Sequence, residues 1–177
     1  PLTVVGTPFV KERLTPLCQL AFPGSLDSMI DHVTWVMDDV GELDDGWRWE
    51  RFEVHHDDAV EPHGYRFEHP SGASFVHSGD SGPCDTLYDA IERSNFAILE
   101  MGFPDWVPST HHHKPMDVRA LSERCTTPLG ITHTYIDEPS SFATVLESAF
   151  PEFADHVIHL SDRMNIEWVG GQWVVNS

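Results

Sequence analysis

The chain has 177 residues, of which 29 are acidic and 10 are basic, so its formal net charge at neutral pH is −19. A surface this acidic repels nucleic-acid backbones and anionic membranes, and we expect neither as a partner. No apolar run approaches the roughly 20 residues that a membrane helix needs. The length is sufficient for one hydrophobic core, and we expect residues 1–177 to form a single domain.

The N-terminal half predicts mainly strands around one long helix. Pro8 can occupy the first position of a helix, where its missing N–H has no cost, and the helix should run to about Phe22 although Pro16 interrupts it. Residues 38–46 are acidic and are expected to form a turn. Strands are expected at residues 2–5, 32–37, 47–56, 64–69 and 73–78, the last two as a hairpin, with a further helical turn at residues 25–30.

After residue 78 helices alternate with strands, which is typical of an α/β or α+β arrangement. A long loop at residues 101–113 ends in three consecutive histidines. Helices are expected at residues 85–93, from Pro115 to about residue 125, and from Ser140 or Ser141 to about residue 149. Strands are expected at residues 96–99, 129–132, 156–160, 164–168 and 172–175.

Two polar residues stand where buried strands end. Asp80 lies in the loop after the strand at 73–78, and His133 ends the short apolar run at 129–132. A strand end fixes the backbone while the loop exposes the side chain. An oxygen ligand and an imidazole ligand in such places suggest a metal site shared between strands. The alternatives are that Asp80 is a turn residue that caps the next helix, and that His133 is an ordinary hydrogen-bonded histidine.

The cysteines limit the kind of site and the compartment. Cys18, Cys84 and Cys125 are widely spaced and form no CxxC, which argues against a disulfide framework and a cysteine zinc site and favours a reducing, cytoplasmic location. The opening PLTVVG has no basic stretch and no initiator Met, so we expect no signal peptide and a longer gene product.

A series of segments resembles the C-terminal half of the metallo-β-lactamase superfamily, in particular its ribonuclease Z-like, arylsulfatase-like and cyclic-phosphodiesterase branch. In order these are GYRFEHPSGASFVHS, GDSGPC, a helix, NFAILE, HHHKPMDV, ITHTY and DRMNIE. The resemblance implies a four-layer αββα sandwich with two metal ions, usually zinc although other divalent metals occur, at one edge of the sheets.

The resemblance also implies metal ligands. Asp80 would be the carboxylate that bridges both metals, and His133 would be the last histidine ligand. The HxHxDH motif that supplies most of the family's ligands is absent from this sequence. We therefore expect a missing N-terminal half, a partner chain that carries it, or a degenerate relative that forms a homodimer.

Two further residues gain roles from the resemblance. His112 would match the histidine of the family's H-x-T/S-x-x-(D/E) segment, because Pro115 and Asp117 then stand in register with that segment. In this branch that histidine stabilises the developing charge or protonates the leaving group, and Glu100 would orient it. Lys114 replaces the family's usual Thr or Ser, so the neighbouring histidines of the run stay open as alternatives. Glu100 as an ordinary solvated carboxylate is the simpler interpretation. We expect His55 and His56 to be packing or surface residues.

The expected function is hydrolysis of a small ester, lactone or phosphodiester by a metal-bound hydroxide, as the resemblance implies. Two alternatives remain at this stage. One is a non-catalytic half-fold that binds a partner. The other is a histidine-rich protein that binds metal at residues 111–113 without Asp80.

Overall fold

The computed structural model describes residues 2–24, 32–136 and 149–176. The chain divides into two compact units, residues 1–41 and residues 42–177. The helical turn expected at residues 25–30, and residues 140–148 of the helix expected from Ser140 or Ser141, lie outside the described residues. A single domain over residues 1–177 stays a prediction.

The first unit contains one helix and a pair of short parallel strands. Strand β1, Leu2–Val5, pairs in parallel with β2, Val33–Val36. Helix α1, Pro8–Ala21, begins where the Thr7 hydroxyl accepts the backbone N–H of Val10 at 3.3 Å. The helix continues through Pro16 and buries none of its residues.

The second unit is built on a mixed sheet. Six of its strands lie in the order β4-β5-β6-β7-β8-β9, and β3 precedes β4 at the boundary between the two units. Strands β4, β5 and β6 pair antiparallel, whereas β6, β7, β8 and β9 are parallel. The acidic segment at residues 38–46 is therefore only partly a turn, since it contains β3. The strands are β3 Val40–Glu42, β4 Arg48–Glu53, β5 His63–Glu68, β6 Ser74–His77, β7 Ala97–Glu100, β8 Leu129–Thr132 and β9 Val157–His159.

Helices and a separate hairpin complete the described part of this unit. Helix α2 is Asp85–Glu92 and helix α3 is Pro115–Arg124, and a single 3₁₀ turn covers Asp58–Val60. The hairpin consists of β10, Asn165–Val169, and β11, Gln172–Asn176, joined at two glycines with positive φ. In the described segments, every helix is too short or too polar to cross a bilayer.

The main core lies between one face of the sheet and helices α2 and α3. Successive strand side chains point to opposite faces, so alternate positions of β6, β7 and β8 meet the helices. Each large aliphatic side chain buried there contributes about 1.5–3 kcal/mol. This packing fixes the C-terminal ends of the three strands. The fully buried residues are Val76, Ala97, Leu99, Leu129 and Ile131 from the sheet, and Leu87, Ala90, Ile91, Val118 and Leu121 from the helices.

Candidate metal and acid–base site

Three of the sequence-predicted site residues stand at one edge of the sheet. Asp80 lies in the loop after β6, Glu100 is the last residue of β7, and His133 directly follows β8. Because these strands are parallel, their C-terminal ends lie side by side. The edge at the carboxyl ends of parallel strands is where such sheets commonly bind ligands.

Asp80 and His133 are brought together. Oδ1 of Asp80 lies 3.4 Å from Nδ1 of His133, and both side chains are about half exposed. His133 has a φ of +48°, in the left-handed region that costs a non-glycine residue about 1–3 kcal/mol. Backbone strain of this kind collects at functional sites. The pair offers one carboxylate and one imidazole on a surface that a ligand can reach.

His56 is half-buried and packs against the rings of His111 and His112, and it also lies beside Asp80. One donor atom each from His56, Asp80 and His112 lie within 4.8 Å of one another. Nδ1 of His56 lies 2.9 Å from the carbonyl oxygen of His111, which can only accept, so Nδ1 carries the proton. In the neutral ring Nε2 then keeps its lone pair, as a metal ligand requires.

His112 stands against a buried carboxylate. Its Nδ1 lies 3.2 Å from Oε1 of Glu100, whose side chain is 2% exposed. The interpretation of Glu100 as an ordinary solvated carboxylate is therefore wrong. The carboxylate raises the pKa of His112 above its ordinary value, burial of the ring opposes this rise, and Asp80 adds to it. The raised pKa favours the protonated form of His112, which is the form that a general acid needs.

Three backbone amides hold the Glu100 carboxylate in place. Oε1 accepts the N–H of Ser81 at 3.2 Å and that of His113 at 3.0 Å, and Oε2 accepts the N–H of Gly102 at 2.6 Å. Bonds from N–H groups to an ionised carboxylate are roughly twice as strong as neutral ones. Glu100 therefore joins two loops, the one after β6 and the one after β7, and its carboxylate lies against the ring of His112.

Comparisons with known proteins identify the fold. No family model matches the chain. An uncharacterized protein of Mycobacterium leprae is 33% identical over 103 residues, which cover 56% of this chain and 35% of that protein. The metallo-beta-lactamase fold protein YhfI from Bacillus subtilis has a TM-score of 0.50 at 15% identity, covering 70% of this chain and 57% of that one.

Two further structures agree with it. A diphosphatase of the PhnP family has a TM-score of 0.57 at 16% identity, covering 90% of this chain and 55% of that one. The long form of RNase Z from yeast has a TM-score of 0.57 at 11% identity, covering 80% of this chain and 25% of that one. The chain has the metallo-β-lactamase fold. It spans about a third of the length of the Mycobacterium leprae protein and a little over half of the first two structures.

The three consecutive histidines occupy different environments in this metallo-β-lactamase-fold chain. His111 is exposed and its ring lies edge-on to that of His56, whereas His113 is fully buried, which lowers its pKa. Across the described ranges, the one group of three donors close enough to share a cation contains Asp80. Metal binding at residues 111–113 without Asp80 therefore has no support in this part of the chain.

Replacing Glu100 with glutamine should lower the pKa of His112, because the raised value depends mainly on the carboxylate. A raised pKa stabilises the folded state below about pH 6.5, the ordinary value for histidine, and the effect disappears as pH rises through the folded-state pKa. The variant should therefore lose most unfolding free energy, relative to wild type, at acidic pH. NMR titration of the His112 ring in metal-free protein measures the shift.

The matched control for this titration is Asp89→Asn, since Asp89 is an exposed carboxylate on α2. It should leave the titration of His112 as in the wild type. An identical His112 titration in Glu100→Gln and wild type would contradict the pairing.

Gly102 leaves space for the contact between His112 and Glu100. A Cβ at this position would lie 2.8 Å from Nδ1 of His112 and 3.0 Å from Oε2 of Glu100. We expect Gly102→Ala to displace His112 and to reduce the unfolding free energy by about 1–3 kcal/mol, which is typical of overpacking. Urea unfolding measures this loss.

The control is Gly6→Ala, whose added Cβ would meet its nearest atoms, in Val10, at 3.6 Å. This is ordinary van der Waals contact, and the change should stay within about 0.5 kcal/mol. Equal stability losses in the two variants would show that the crowding at Gly102 is unimportant.

Proposed function

We propose that this chain supplies part of the active site of a metal-dependent hydrolase. The observation that carries the proposal is the meeting of His56, Asp80 and His112 within 4.8 Å, with the buried Glu100 behind His112. The metallo-β-lactamase fold supports it, because structures of this fold include proteins described as a diphosphatase and an RNase Z.

The donor set fits a divalent metal ion. Asp80 and His133 would be ligands, as the family resemblance implies, and we add His56 because its Nε2 lone pair is free of the backbone contact. Imidazole nitrogen with carboxylate oxygen is a combination that zinc accepts, and other divalent metals use it too. When bound, such an ion supplies Lewis-acid activation of water and of the substrate's reacting group.

His112 is assigned to proton transfer rather than to ligation. A protonated ring has no lone pair for a metal, and the Glu100 carboxylate favours the protonated form. Placed beside the metal ligands, His112 would donate its proton to the leaving oxygen or stabilise the charge that develops there. Glu100 holds the ring in the orientation that this transfer needs.

The substrate we propose is a small ester, lactone or phosphodiester. The net charge of −19 disfavours a long RNA, since the molecule as a whole repels a phosphate backbone. A small anion is a different case, because cations and a protonated His112 would dominate the local potential.

A second candidate is a binding role that depends on a partner, such as the remainder of the fold, a separate chain or a second copy. It is favoured by apolar side chains that α1 and its C-terminal cap leave exposed, namely Leu17, Leu20 and Phe22. Leu17 and Leu20 are three positions apart and so share one face of the helix, and apolar surface shared in this way often marks an interaction site.

The test is the intact mass and metal content of the native protein, followed by hydrolysis assays. We expect a mass well above 20.0 kDa, about two zinc ions per molecule and turnover of a chromogenic phosphodiester, ester or lactone. A native mass of 20.0 kDa with neither tightly bound metal nor turnover would reject the hydrolase and favour the binding role.

A further inference from the structure

His113 is a buried polar residue with no part in the proposed chemistry. Its side chain is fully buried, between the loop after β6 and helix α2. Burying an imidazole is costly unless its nitrogens are hydrogen-bonded, and here both have partners. Nδ1 lies 2.5 Å from the carbonyl oxygen of Ser81, and Nε2 lies 3.3 Å from the hydroxyl of Tyr88 on α2.

These contacts determine which ring nitrogen carries the proton. The Ser81 carbonyl can only accept, so Nδ1–H of His113 donates to it. In the neutral ring Nε2 is then an acceptor, and the Tyr88 hydroxyl donates to it. The ring is therefore a fixed link between a loop and helix α2, with each nitrogen in a single role.

The link closes a ring of hydrogen bonds with Glu100. The N–H of Ser81 and the N–H of His113 both donate to Oε1 of Glu100, while the His113 side chain donates to the Ser81 carbonyl. Ser81 directly follows Asp80, and His113 directly follows His112. This cycle of hydrogen bonds therefore joins the backbone next to Asp80, the proposed metal ligand, to the backbone next to His112, the proposed proton donor.

We propose that His113 is a positioning residue that fixes Asp80 relative to His112 through its Nδ1–H bond to the Ser81 carbonyl. This inference rests on the proposed function, because the distance between Asp80 and His112 matters only if Asp80 holds the metal ion and His112 donates a proton to the same substrate. Small displacements of such groups have large effects on rate and on metal affinity.

Three substitutions in the native protein separate the two nitrogens. His113→Leu removes both contacts. His113→Asn keeps an amide N–H near the position of Nδ1 but removes the Nε2 acceptor that faces Tyr88. Tyr88→Phe removes only the hydroxyl that donates to Nε2. His69→Asn is the control, since His69 bonds to Ser71 in another turn.

We expect His113→Leu to weaken zinc affinity and kcat about 10- to 100-fold, in the range seen for residues that orient metal ligands. His113→Asn and Tyr88→Phe should retain most of both, and His69→Asn should match the wild type. In metal-free protein, exchange of the Ser81 amide proton should accelerate in His113→Leu and stay slow in His113→Asn.

Unchanged zinc affinity and kcat in His113→Leu would overturn the proposal. Equal losses in the Leu and Asn variants, accompanied by equal losses of stability in urea, would show that the residue only fills space and would also overturn it. If the wild type binds no zinc, the proposed function fails, and the Ser81 exchange decides alone: a difference between Leu and Asn supports the link, and no difference rejects it.

Discussion

Replacing Asp80 with alanine is expected to remove most of the bound metal and nearly all hydrolytic activity. Asp80 is the one carboxylate among the proposed ligands, which are Asp80, His133 and His56, and its Oδ1 lies 3.4 Å from Nδ1 of His133. Residues that merely orient a ligand typically cost 10- to 100-fold on substitution, so the loss here should exceed about 100-fold. Elemental analysis and zinc titration measure the metal, and the turnover of a chromogenic ester or phosphodiester measures the activity.

Asp89→Ala is the control, since Asp89 is an exposed carboxylate on α2 and is not one of the site's donors. It separates loss of a donor from loss of one negative charge in an acidic protein. Unchanged zinc stoichiometry in Asp80→Ala would contradict the assignment and would direct attention to the exposed ring of His111.

Replacing His112 with glutamine should lower kcat by about 10²- to 10⁴-fold, the usual contribution of an acid–base group, with little change in KM. The wild-type rate should fall as pH rises through the raised pKa of His112, because the general acid must be protonated. The variant should lack this alkaline decline. Steady-state kinetics across pH, with zinc held saturating, measure both effects.

His69→Gln is the matched control, because it also removes an imidazole, but one whose Nδ1 contacts the Ser71 hydroxyl rather than a buried carboxylate. It should keep the wild-type pH profile. An alkaline decline that persists in His112→Gln would show that another group supplies the proton.

Local sequence patterns predicted most of the elements because each depends on a few neighbouring residues. The alternation of apolar and polar residues at 47–56 predicted β4, and the turn before Ala73 predicted the β5–β6 hairpin. Asp80 and His133 were identified as strand-end residues, and the structure brings them within 3.4 Å. Their metal-binding role remains a proposal.

The residues that sequence reasoning missed depend on contacts between distant segments. His56 follows β4 as part of a histidine pair, and only the folded sheet places it beside Asp80. The burial of Glu100 likewise needs the amides of Ser81 and His113, which a local pattern cannot foresee. Strand β3 was missed because its acidic neighbours have the composition of a turn.

The site residues come from the ends of separate strands and from a loop, so an unfolded chain cannot assemble them. A cation that they hold would bind the native state alone, and its binding energy would add to stability by mass action. At a free concentration one hundred times Kd this amounts to about 2.7 kcal/mol. The melting temperature would then rise with the free metal concentration. Thermal stability would therefore report the concentration of free metal around the protein.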